Sequence, residues 1–263
     1  MRPVFLLLVA GGLVGCKAPV EAPQTLDELC GFLFAHLDDE DPEALQASVE
    51  NLDGWMTANF DQTLGGYAIN DITPEAAEPL GKTADDLEGI TGAAVGAESV
   101  NTVGDVTEAL VWEKQEELYP ETYLEFERTL VEGTYDCFNA QTCDWLVTDN
   151  SMTASYALGL TVSSEFLAQY RWVTLEDGRT VSIYRTWMTA DPEINFDFLD
   201  VKDQFYLGVN IPLEDGHTLR LLASWIVAEI GDTDIPEDFA LNLVINTLSS
   251  SSEELDVWIG DNL

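Results

Sequence analysis

Positive charge is what this chain has least of: 10 Lys and Arg stand against 49 Asp and Glu in 263 residues, a formal net charge of −39. A surface of that sign repels phosphate backbones and anionic headgroups, which argues against nucleic acid as a partner. It suits solubility where salt screens self-repulsion, and so a saline habitat. Histidine is scarce as well. The two present, His36 at an acid-flanked helix end and His217 in a hairpin turn, lack the spacing of a zinc site, so no metal is expected. No G-x-S-x-G elbow occurs, and histidines so placed give a Ser-His-Asp triad little support. Neither common glycine-rich phosphate loop is found, so no nucleotide cofactor is indicated, and no cofactor of another kind is expected. Carboxylates are numerous enough that close pairs arise by number alone, so a glycosidase-like pair cannot be inferred. These absences favour a binder over a catalyst.

A long apolar run is also missing. The stretch Val4–Val14, broken by Gly11-Gly12 and preceded by Arg2, is too short to span a bilayer. It ends in Leu13-Val14-Gly15-Cys16, which resembles the lipobox of bacterial lipoproteins. The resemblance implies that residues 1–15 are a signal peptide and that Cys16 is the acylated first residue of a chain anchored to the membrane by lipid. Lys17 follows, not the aspartate associated with inner-membrane retention, which implies the outer membrane, facing either the periplasm or the surface. Residues 16–25, with Pro19, Glu21 and Pro23, read as a tether. Export then sets the cysteine arithmetic. Cys137 and Cys143 flank a short polar loop and are the natural disulfide pair, a closure worth roughly 2–3 kcal/mol on the chain-entropy model. Cys30, within an apolar helical pattern, reads as a buried free thiol.

What is there, at 46% hydrophobic residues, is ample for a sizeable core. Residues 26–90 form a helical N-terminal segment. Leu26, Leu29, Cys30, Leu33 and Leu37, then Leu45, Val49, Leu52, Met56 and Phe60, fall at helical spacing and predict an antiparallel helix pair over 26–60. Between them Asp38-Asp39-Glu40-Asp41-Pro42 lacks the order of a calcium loop and reads as a solvated turn. Residues 61–90 are weakly patterned. From 91 to 263 the order is a strand near Gly92–Val100 and a helix opened by a capping box at Asp105 and Glu108 and running to Leu118. Tyr123–Val131 is then either a strand or a bent helix. Two hairpins follow, turning at Glu176-Asp177-Gly178 and Glu214-Asp215-Gly216, with each glycine in the left-handed position of a three-residue loop. That register sets Ile211 opposite Leu219, Val209 opposite Leu221, Leu207 opposite Ala223 and Phe205 opposite Trp225, all on one face. A helix over Asp238–Ile259 closes the chain, its stripe of Leu241, Val244, Ile245, Leu248, Leu255 and Ile259 interrupted by Ser249–Ser252; Pro236 ends what precedes it.

In the first hairpin the same register puts Arg171 and Arg185 on one face among Val173, Ile183 and Trp187. Arginines so placed must be paired if buried, either with an acidic headgroup of a hydrophobic ligand or with one of the chain's own acids. Trp172, Tyr184, Trp187 and Trp225 are candidates to line a pocket, or simply core. The fold class is α+β: a curved antiparallel sheet packed on a long C-terminal helix, preceded by an N-terminal helix pair. A strand, helices, long antiparallel strands and a long final helix, over 91–263, resemble the START-like group, also called helix-grip, polyketide-cyclase-like or SRPBCC. The resemblance implies an apolar cavity between sheet and last helix, and a hydrophobic small molecule or lipid as partner. The alternatives are a structural or interaction lipoprotein with a filled core, and a cyclase- or hydrolase-like enzyme on the same fold.

Overall fold

A computed structural model of the chain describes residues 22–40, 42–156, 159–196, 199–231 and 239–263. Cys16 with its signal, most of the tether, Pro236 and Asp238 lie outside the described residues, as does the side chain of Leu241. The two expected N-terminal helices form as α1 (Leu26–Ala35) and α2 (Glu43–Thr63). Their apolar stripes meet one layer of the molecule: Leu26, Leu29, Leu33, Leu45, Val49, Leu52 and Met56 are fully buried. Each such side chain stabilises the fold by about 1.5–3 kcal/mol on removal from water. Cys30 is buried and free, and burial pushes its thiol well above the usual range, so it is inert packing. The weakly patterned stretch that follows holds a three-residue strand, β1 (Tyr67–Ile69), and a short helix, α3 (Pro74–Ala77). Elements so short leave no period to read.

β2 (Thr91–Ser99) lies where expected. The next helix, α4 (Val103–Val111), is shorter than the sequence suggests, and its cap lies three residues before Asp105. Thr102 accepts from the Asp105 N–H and donates to the Asp105 carboxylate, so Asp105 is the third helical residue and not the cap. The chain breaks at Trp112 before the short α5 (Gln115–Leu118). Tyr123–Glu132 is a strand, β3, at the far edge of the sheet. Leu124 and Val131 are exposed on it, which is why alternation there did not separate strand from helix. α6 (Tyr135–Asn139) occupies the loop closed by the Cys137–Cys143 disulfide.

The remaining strands are β4 (Trp145–Ser155), β5 (Thr161–Thr174), β6 (Thr180–Met188), β7 (Glu193–Ile194), β8 (Leu199–Pro212) and β9 (Thr218–Ile230), and α7 (Phe239–Asn262) ends the chain. They build one antiparallel sheet in the order β1-β2-β9-β8-β6-β5-β4-β3, with β7 beside β5. Both hairpins have the expected register, Val173 opposite Val181 and Ile211 opposite Leu219, with Gly178 and Gly216 at φ of 88° and 90°. Period-two alternation then splits the sheet into two faces. The outer face carries Val173, Val181, Ile183, Leu207, Val209, Leu221, Ala223 and Trp225, which pack with α1 and α2 into the largest core. The inner face takes α7, whose Val244 and Leu248 lie on Ala93, Val95 and Leu222, while Leu255 and Ile259 pack against α4 and α5. The sheet is thus covered on both sides. α7 has 24 residues, about 36 Å at 1.5 Å per residue.

Candidate functional site

The inner face, which α4 and α6 cover together with α7, is built differently from the outer core. Across β5, β6 and β8 the rings of Tyr170, Tyr184 and Tyr206 stack in a row, with centroids 5.7 and 5.6 Å apart. Tyr184 lies opposite Gly208, where an added Cβ would stand 2.1 Å from the phenol ring. Glycine at that point lets the tyrosine lie flat across the neighbouring strand. The Tyr184 hydroxyl donates to Tyr206 at 3.4 Å. Burial raises the pKa of Tyr184, against partial opposition from the Arg220 guanidinium, and burial also holds Tyr119 and Tyr206 well above the usual phenol range. These groups stay neutral, able to donate. Trp172 is on the same face, its indole N–H bonded to the Phe138 carbonyl at 2.9 Å.

One register step along the strands runs a polar row. The Thr107 and Ser182 hydroxyls share a hydrogen bond of 2.6 Å, and the Asn210 amide donates to Ser182 at 2.9 Å. Arg220 Nε donates to Asn210 Oδ1 at 3.1 Å, and its Nη1 to Ser252 Oγ of α7 at 2.9 Å. The row therefore links α4, β6, β8, β9 and α7. All five side chains are buried, Arg220 to 2% exposure. The serine run that interrupts the apolar stripe of α7 brings Ser252 to this guanidinium.

The sequence-predicted residues divide between the faces. Tyr184 and Trp172 belong to the inner face; Arg171, Arg185, Trp187 and Trp225 belong to the outer one. Trp225 donates to the Asn70 carbonyl at 2.8 Å and meets the Phe34 ring. Arg171 Nη1 donates to the carbonyls of Leu37 and Asp39 at 2.7 and 2.8 Å. Arg185 Nη1 donates to the Phe34 carbonyl at 2.6 Å, and Nε to Gln169 at 2.8 Å. Its Nη2 stands 2.9 Å from Asp38 Oδ2 at an angle that makes a charge contact and not a hydrogen bond. Phe34 and Trp187 rings flank the guanidinium. Burial lowers the Arg185 pKa, opposed by Asp38. Both arginines therefore satisfy carbonyls at and just beyond the C-terminal end of α1, a helix with no basic residue in its own last turn. They face away from α7, where the expected ligand would lie. The expected acid partner is present only for Arg185, at Asp38; backbone carbonyls take the other contacts, together with Gln169.

Arg220 was not singled out from the sequence, although the second hairpin's register already places it opposite Asn210 and on the face away from Leu219 and Leu221. Two open clefts sit elsewhere, where β5 runs past the start of β4. One, of about 430 Å³, is lined by Pro42, Gln46, Gln141, Asp144, Arg171 and Thr174; the other, of about 200 Å³, by Asp38, Asp39, Glu40, Asp144 and Trp145. Glu98 of β2 joins His217 and Asp215 at the tip of the second hairpin, their donor atoms within 4.8 Å of one another. Hydrogen bonding to Glu98 raises the His217 pKa, and both carboxylates are exposed. Among the described residues no helix is long and apolar enough to cross a membrane.

No protein-family model and no curated protein matches the chain. Solved structures similar to it include a START superfamily protein from Mycobacterium smegmatis (9% identity over 65% of this chain and 99% of that one, TM-score 0.39). An aromatase/cyclase from a Streptomyces species (14%, 65% and 93%, 0.39) is another. A third is a STAR-related lipid transfer protein from Xanthomonas axonopodis (12%, 74% and 98%, 0.41).

Proposed function

We propose that this chain is a lipid-anchored protein of the cell envelope that holds a hydrophobic small molecule or lipid between the inner face of its sheet and α7. The observation that carries the reading is the contrast between the two faces of one sheet. The outer face is sealed by Val, Leu, Ile and Trp side chains against two helices, and its two arginines bond to the chain's own carbonyls. On the inner face, beneath α4 and next to α7, the same strands present a row of tyrosines, amphipathic plates that offer apolar area and a donor at once. An anchor at Cys16 would hold that domain at a membrane, where hydrophobic molecules concentrate. A second reading, a filled interior without ligand, is favoured by a different observation: Tyr170 and Tyr184 are buried in one cluster with Val111 of α4 and Phe138 of α6.

Mass spectrometry of organic extracts from protein purified out of the envelope decides between the two. A stoichiometric amphiphile, with thermal stabilisation by hydrophobic compounds, is expected. Finding neither leaves the filled interior. The mass of the N-terminal peptide tests the anchor separately: diacylglycerol on Cys16 is expected, and an unmodified Cys16 or a start elsewhere removes it.

A further inference from the structure

Arg220 is out of keeping with every other cation in the described fold. Lys82, Lys114, Arg179, Arg185 and Lys202 each stand at a carboxylate. Arg171, as above, and Arg128 sit instead on backbone carbonyls, Arg128 on those of Leu110 and Trp112 at the C-terminal end of α4. Arg220 meets only neutral side-chain oxygens, those of Asn210 and Ser252, with the Tyr184 phenol close by. Among the described residues no carboxylate lies within ion-pair distance of it, in a chain with 49 of them. A buried guanidinium with no counter-charge is strongly disfavoured, and with so many acids to hand a structural partner would be easy to supply. Arginine also has more N–H donors than the two bonds to Asn210 and Ser252 use.

We propose that the ligand held beneath α7 carries a single carboxylate, and that this group seats on the Arg220 guanidinium with the tyrosine hydroxyls of the inner face as further donors. The proposal rests on the ligand-binding reading above and names the chemical class of that ligand: a monocarboxylic acid with an apolar body. One guanidinium neutralises one charge, and its fork matches a carboxylate with two parallel hydrogen bonds. Asn210 and Ser252 hold the plane of the guanidinium from β8 and α7, while the row of Tyr170, Tyr184 and Tyr206 offers ring faces to the apolar body. The phenols, kept neutral by burial, donate to a carboxylate without repelling it.

The test uses residues 16–263 secreted with Cys16→Ser, so that no acyl chain and no detergent compete. Palmitic acid and 1-hexadecanol, which share a chain length and differ in head, are titrated calorimetrically at pH 8. The acid is expected to bind at least about tenfold more tightly than the alcohol. In Arg220→Gln, which keeps polar atoms and loses the charge, the acid is expected to fall to the affinity of the alcohol while the alcohol is unchanged. Equal binding of the two probes by the unsubstituted Arg220 protein overturns the carboxylate assignment and leaves a hydrophobic ligand standing. Undiminished acid binding by folded Arg220→Gln overturns it too. Binding of neither probe, with no amphiphile in the extracts, removes both proposals. If Arg220→Gln does not fold, the comparison of acid with alcohol on the Arg220 protein decides alone.

Discussion

Three buried arginines lie in the described sheet, and what each faces sets what it does. Arg171 and Arg185 reach from the outer face to the carbonyls around the end of α1, so they clamp that helix to the strands. Arg185→Met leaves the Phe34 carbonyl and Gln169 without their donor, and is expected to cost about 2–4 kcal/mol in urea unfolding. Asp38→Asn should cost under ~1 kcal/mol, because that carboxylate is 43% exposed and screened. Neither substitution should change ligand affinity. A cost below ~1 kcal/mol for Arg185→Met would mean that apolar contacts alone hold α1. Alternation along β5 and β6 did put Arg171 and Arg185 on one face, and that much was legible. Which helix covers that face was not, since both faces of these strands are largely buried and both carry polar residues. Arg220 was readable from the same register, but a lone arginine between two leucines carries no signal until Asn210, Ser252 and Tyr184 converge on it.

Among the elements, the hairpins were the most legible, because Glu-Asp-Gly sets both loop length and register within a few residues. Helix α4 was less so. Asp105 with Glu108 looks like a box by spacing, yet Thr102 with Asp105 is the pair the chain uses, and spacing cannot rank two overlapping candidates. The loop from Thr134 to Asp144 is pinned by a disulfide and by Phe138, which is fully buried against Trp172 on the inner face. Replacing Cys137 and Cys143 together with serine should lower stability by about 2 kcal/mol, the entropy of so short a loop. The loss should appear in denaturant midpoint with little change in slope, since the loop remains packed. Ready alkylation of both cysteines without reductant, in protein taken from its native envelope, would show instead that no bridge forms there.

At the scale of the whole molecule, −39 charges on one chain repel one another through the folded surface. Raising NaCl from ~0.02 to ~0.5 M should therefore lift the melting temperature by about 3–8 °C, or roughly 1–2 kcal/mol. A flat or falling profile in calorimetry would show the acids to be locally balanced. The N-terminal helices belong to this scale too. They read as a separate helical segment, but β1 extends the sheet and α1 and α2 bury its outer face, forming the largest core among the described residues. By itself the sequence determined the α+β class, the two hairpins with their register and the closing helix, because turn chemistry and period-two or period-3.6 patterns are local and repeat within each element. Only the tertiary structure decided which face meets α1 and which meets α7, and so which arginines are clamps and which one meets neither a carboxylate nor a backbone carbonyl among the described residues. Those assignments depend on contacts between different elements, up to 151 positions apart for Arg185 with Phe34, and no local period encodes them.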